Sequence, residues 1–240
     1  MKKLGIIQPG KIGDIVICLP IAKWYNDRGY EVIWPIDRNI INNFLGYIDY
    51  VTFIPIDFDC RVAHQTCFDN FCSKVIDVSF TLPGANNFNT QNYLSQDLYS
   101  FDEYKYFLAD VPFEEKWKLE INRNIEKEDI LYDKLVKEPN YVVCVTKTSD
   151  GNRDDVRYAG DLQLITIEFL TDSVFDWIKI LENSTKHIIV DSCFINIIEQ
   201  LNIPCKETRH LLLRNGYYGK KLKDGYWKGK PRTKLDWIEI

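Results

Sequence analysis

No stretch of this sequence approaches the ~18 consecutive apolar residues of a membrane-crossing helix. The opening Met1-Lys2-Lys3 leads into an apolar run that stops at Gln8-Pro9-Gly10, too short for the core of a secretory signal, so a cytoplasmic protein is expected. Glycine and proline are modest, 12 and 9 in 240 residues, and 45% of the chain is apolar against 27% charged, which excludes low complexity and disorder. No internal repeat is visible. Histidine is scarce, and neither His187 nor His210 has a nucleophile near it in sequence, so no hydrolase triad is seen. The seven cysteines (18, 60, 67, 72, 144, 193 and 205) are odd in number and scattered through a chain far above disulfide-scaffold size, so reduced thiols are expected.

Charge is unevenly spread. Residues 219–234 hold Lys220, Lys221, Lys223, Lys228, Lys230, Arg232 and Lys234 against Asp224, a net of +6 that leaves the rest of a −5 chain at −11. With Tyr226 and Trp227 among the lysines, this tail has the composition of a segment that tracks a phosphate backbone and stacks bases. A solvated terminal segment is the other reading.

The hydrophobic period alternates between strand and helix. Residues 3–8 read as a strand, 15–26 as a helix, 31–35 as a strand, 39–45 as a short helix, 50–56 as a strand, 61–74 as a helix and 75–82 as a strand. A polar loop over 83–91 precedes an aromatic helix over 93–109. Charge density then rises over 114–140, as in a connection between lobes. A second series follows: strands at 141–146, 164–169, 187–190 and 209–213, with helices at 175–183 and 194–201. The expected fold is α/β, two Rossmann-like lobes with parallel sheets: 1–113, a connecting segment 114–140, 141–218, and a basic aromatic tail 219–240.

The loop after the first strand is the most informative stretch. In Pro9-Gly10-Lys11-Ile12-Gly13-Asp14, two glycines let the backbone turn, and the next helix turns free amides and its positive dipole end toward the region above the sheet. The spacing is neither G-x-G-x-x-G nor a P-loop, so a nicotinamide or ATP reading loses support. Gly10, Gly13, Asp14, Val16 and Pro20 match G-x-[IL]-G-D-x-[IV] with a Pro beyond it. Late in the chain Asp191-Ser192-Cys193 ends an apolar strand in the manner of D-[ST]-G. On these residues the sequence resembles the glycosyltransferase family 9, or heptosyltransferase-like, group. Cys193 stands where that family has Gly, and Asn196 where it has His.

The resemblance implies a GT-B fold, no metal or other cofactor, and an inverting transfer from a nucleoside-diphosphate sugar to a hydroxyl. The first lobe would take the acceptor and the second the donor. Asp14 would be the base that takes the acceptor proton; its plainer reading is a helix cap. Lys11 lies in the same loop. The diphosphate would lie on Asp191, Ser192 and Cys193 with Lys147, flanked by Thr146 and Thr148, and Glu168 would face the ribose. Arg153 and Arg157 are weaker donor candidates. The acceptor would be a glycan or, given the tail, a hydroxylated base in DNA, which would have to be flipped out.

Three other readings stand beside this one. Asp57-Phe58-Asp59 is the D-x-D of metal-dependent GT-A transferases. Cys60, His64, Cys67 and Cys72 could ligate zinc, although their spacing on one helix suits buried thiols better. A catalytically silent binding protein for a sugar nucleotide or nucleic acid could also use the scaffold.

Overall fold

The computed structural model describes residues 2–79, 98–148, 158–168, 170–214, 218, 219 and 221–240, with the backbone of 151 and 152. The chain forms two compact units, Met1–Asn122 with Tyr218–Arg232, and Arg123–Tyr217 with Thr233–Ile240.

In the first unit β1 (Lys2–Ile7), α1 (Ile12–Asn26), β2 (Tyr30–Asp37), β3 (Thr52–Ile56), α2 (Cys60–Asp69), β4 (Lys74–Asp77) and α3 (Phe101–Ala109) follow in order. All pairings are parallel and the sheet order is β3-β2-β1-β4. Strand order runs one way from β1 to β3 and then jumps to the other side for β4. The carboxyl ends of β1 and β4 therefore flank the switch point, where open α/β sheets leave room for a ligand.

Helix α1 is buried almost continuously from Ile15 to Ala22, as expected of a helix apolar on every side. Pro20 inside it lacks the N–H that would reach the Val16 carbonyl, and the turn it disturbs is supported by Tyr106, whose hydroxyl donates to Ile17 O at 2.8 Å. Helix α3 starts at a capping box, Ser100 with Glu103, so its first turn is fixed locally. It is shorter than the 93–109 expected, and residues 93–97, like the loop 83–91, lie outside the described residues. The short helix expected over 39–45 is a single 3-10 turn, Ile41–Asn43.

The second unit contains α4 (Ile125–Leu135), β5 (Tyr141–Val145), a two-residue hairpin of β6 (Lys147–Thr148) and β7 (Gly151–Asn152), β8 (Gln163–Thr166), α5 (Ile178–Asn183), β9 (Lys186–Val190), α6 (Cys193–Gln200), β10 (Thr208–Leu212) and β11 (Trp237–Glu239). The five-stranded sheet is parallel, ordered β11-β10-β9-β5-β8. Its switch point lies between β5 and β9.

Two expectations need correction. Residues 114–140 are not a bare connection: Phe113–Trp117 is a 3-10 turn of the first unit, and α4 belongs to the second. The high charge density there is the packing itself. Arg123 donates to Glu128 at 2.8 Å and Glu182 at 2.7 Å, and Lys179 to Asp129 at 2.5 Å.

The tail is not one segment either. Residues 218–232 fold onto the first unit, where Arg232 N–H and Lys116 both meet Asp102, at 2.8 and 2.6 Å. Residues 233–240 belong to the second unit and add β11 as an edge strand. There the buried Glu199 accepts from Lys234 N at 2.7 Å and Trp237 Nε1 at 2.6 Å. Among the described residues no helix is long and apolar enough to cross a membrane, and all seven cysteines are free.

Candidate active site

The first unit gathers its polar groups at the β1/β4 switch point. Gln8 follows β1, is fully buried, and donates from Nε2 to Gly10 O at 2.7 Å, tying the glycine loop to the strand end. Gly10 lies under the exposed Phe58 ring, so that a Cβ there would lie 1.9 Å from the ring and would have to displace it. Lys11, exposed, precedes α1 with φ 60°, a left-handed φ that a non-glycine residue adopts at a cost.

Asp14 lies in the first turn of α1 and does not cap it; the N-cap position belongs to Lys11. Its carboxylate, 14% exposed, meets Lys105 of α3, whose Nζ lies 3.1 Å from Asp14 Oδ1. Lys105 is fully buried and also donates to Gln8 Oε1 at 3.1 Å and Val78 O at 2.8 Å. A buried ammonium needs such a set of acceptors to hold its charge. The neighbouring Cys18 thiol is pushed up to about 12 by burial, with Lys105 pulling the other way.

Beside this cluster, Asp77 accepts from Ser79 N and Oγ at 2.9 and 2.5 Å and meets His64 Nε2 at 3.0 Å. His64 is thus engaged by a carboxylate, while Cys60 and Cys67 are buried core thiols; Cys67 is pushed up to about 12, chiefly by burial. Among the described residues no three His, Cys, Asp or Glu gather as a metal site. The D-x-D pair is committed elsewhere. Asp57 pairs with Arg38 at 2.9 Å, and Asp59 caps α2 through Arg61 N at 2.7 Å, its carboxyl held down to about 2 by the Arg61 side chain.

In the second unit Lys147, Ser192 and Arg214 follow three adjacent strands, β5, β9 and β10. Lys147 is exposed, with the half-buried Thr146 and Thr148 on either side. Ser192 holds the N-cap position of α6, but its hydroxyl bonds no helix amide and is buried with no partner among the described residues. The amides of Cys193 and Phe194 face the Cys193 thiol, which burial nonetheless pushes up to about 12. Asp191 is buried, and its carbonyl accepts from Arg214 Nε at 2.8 Å. Asn196 is buried, and its Oδ1 meets no partner among the described residues. Glu168 is exposed after the edge strand β8. Arg153 and Arg157 lie outside the described residues.

The tail residues are largely spent on the fold. Lys228 and Lys230 are buried, and Lys230 lies 4.8 Å from the Tyr226 ring centre. The Arg232 guanidinium also lies over the Tyr226 ring, 4.2 Å from its centre, and pairs with Glu103 at 3.0 Å and Asp224 at 2.6 Å. Lys221 lies 5.1 Å from the Trp227 ring. Lys223 and Lys234 are exposed, and Lys220 lies outside the described residues. Among the described residues the basic run is divided between buried or ring-packed side chains and the exposed Lys223 and Lys234, and Arg232 is matched by Glu103 of α3 and by Asp224 of the tail itself.

Sequence reasoning missed Gln8, Lys105 and Arg214. Lys105 carried a signal, since it shares the buried face of α3 with Asp102, Tyr106 and Ala109 at helical spacing. Arg214 follows the last apolar residues of β10.

No protein-family model matches the sequence, and no characterised protein matches it in sequence. Among solved structures the chain is similar to a glycosyl transferase family 9 protein from Veillonella parvula DSM 2008, with a TM-score of 0.59, 9% identity, and 99% of this chain and 87% of that one covered. It is also similar to TibC, described as an iron-containing dodecameric glycosyltransferase from enterotoxigenic E. coli H10407. There the TM-score is 0.51 and the identity 12%, and 88% of this chain covers 57% of that one. The α/β fold of Rossmann-like units is thus shared with that family 9 glycosyl transferase structure.

Proposed function

We propose that the protein is an inverting glycosyltransferase that moves a sugar from a nucleoside-diphosphate sugar to a hydroxyl of a saccharide acceptor. The observation that carries this reading is the equipment of the two switch points. One presents the partly exposed Asp14 carboxylate; the other sets the start of α6 at Ser192, on the strand end between those that lead to Lys147 and Arg214.

In one displacement the acceptor oxygen bonds to the anomeric carbon, its proton passes to Asp14, and the bond to the diphosphate oxygen breaks. A single displacement inverts the anomeric centre. The departing diphosphate takes its stabilisation from the Lys147 and Arg214 cations and from the positive end of α6 at Ser192, with no metal or other cofactor required. Glu168 has the chemistry to accept from ribose hydroxyls. A saccharide acceptor is favoured over a base in DNA because Lys228, Lys230 and Arg232 are engaged within the fold.

A thermal-shift panel of nucleoside diphosphates and their sugars tests the reading. A ligand at 100 times its dissociation constant stabilises by about 2.7 kcal/mol, a rise of several degrees for a chain of this size. One nucleotide series should produce this rise without added metal; no response from any of them would overturn the reading.

A further inference from the structure

We propose that Lys105 is the positioning residue for Asp14, an inference that rests on reading Asp14 as the base. The argument is one of placement. Lys105 Nζ sits at the β1/β4 switch point and touches one group from each element around it: Gln8 Oε1 after β1 at 3.1 Å, Val78 O after β4 at 2.8 Å, and Asp14 Oδ1 on α1 at 3.1 Å. The ammonium is fully buried, so bulk water does not screen it or compete for its three protons. Gln8 is itself fixed, since its carbonyl accepts from Trp34 Nε1 at 3.0 Å and its amide holds Gly10.

The consequence is directional. Lys105 claims Oδ1, which fixes the rotation of the carboxylate and leaves Oδ2 to receive the acceptor proton. The charge also matters: removing Lys105 would leave the partly buried Asp14 carboxylate without the partner that holds it. Other ionisable groups near the pair are Cys18, a buried thiol on α1; Cys60, on α2; and Asp102, already matched by Lys116 at 2.6 Å. Nothing here makes Lys105 touch substrate; it acts through Asp14.

The test compares Lys105→Met and Lys105→Gln with Asp14→Asn. The readout is release of nucleoside diphosphate from UDP-, GDP- and ADP-sugars, with water or simple glycosides as acceptor. The proposal expects kcat to fall about 100-fold in both lysine variants while the donor KM stays within about twofold, because the donor contacts lie on the second unit. Adding Asp14→Asn to Lys105→Met should lower kcat little further, as for residues that act as a unit.

If Asp14→Asn abolishes turnover but both lysine variants keep their kcat, the positioning role is wrong and the functional reading stands. If the wild type turns over no sugar nucleotide, the functional reading fails and this one with it. Should both lysine variants lose the folded state by circular dichroism, Lys105 is a structural ion-pair partner and the proposal is overturned.

Discussion

Lys116 Nζ lies 2.6 Å from Asp102 Oδ2, and both side chains are fully buried. The same carboxylate accepts from the backbone N–H of Arg232, 2.8 Å away, and Lys116 donates in turn to the Arg232 carbonyl at 2.7 Å. Ser100 occupies the other oxygen at 2.5 Å. A pair this far from water is held by its full set of hydrogen bonds, and what it holds is the return of residues 218–232 to the first unit.

Removing one partner leaves the other charge buried and unmatched. Lys116→Met should therefore lower unfolding free energy by about 3–5 kcal/mol, read by urea denaturation. Replacing the exposed Lys223 with Met should change it by less than about 0.5 kcal/mol.

His187 sets an acid limit. It is fully buried, and burial brings its pKa down from 6.5 to about 4. The unfolded chain binds the proton below 6.5 and the folded chain only below about 4. The associated stability is complete above 6.5 and is lost as pH falls through that window, at most about 3 kcal/mol. Urea unfolding near pH 7 and near pH 4 should show this loss, and His187→Gln should flatten it.

Gly10 lies under the ring of Phe58. A Cβ would lie 1.9 Å from that exposed ring, which must swing aside, so Gly10→Ala should cost up to about 1 kcal/mol in thermal or urea unfolding. Adding Phe58→Ala removes the clash, and the double variant should recover part of that loss.

Arg214 is held at the switch point by the Asp191 carbonyl. Arg214→Ala should weaken nucleoside diphosphate binding by about tenfold or more, as loss of a charge-assisted contact does. Calorimetric titration would check it, with Asp57→Ala as a control expected to bind normally.

The parts of this protein that could be read from its sequence are those fixed by local patterns. Apolar runs stopped by Pro9-Gly10 or leading into Asp191-Ser192 mark strand ends whose neighbours lie close in the chain. Helix α4 was hidden because its contacts are ion pairs from Arg123 and Lys179, not an apolar stripe. The course of the tail was not legible because a basic run carries no local sign of the distant groups that meet it. The Arg232 side chain finds Glu103 only in the folded chain, and Lys105 finds Asp14 in the same way. Both are long-range pairings with no local sequence pattern.

The most direct measurement is release of nucleoside diphosphate from a panel of sugar nucleotides by the wild type and by Asp14→Asn. Asn keeps much of the size and hydrogen-bonding capacity of Asp but cannot take the proton, so folding should survive while turnover falls about 100-fold or more. An Asp14→Asn variant that turns over the same sugar nucleotide at the wild-type rate would contradict the account.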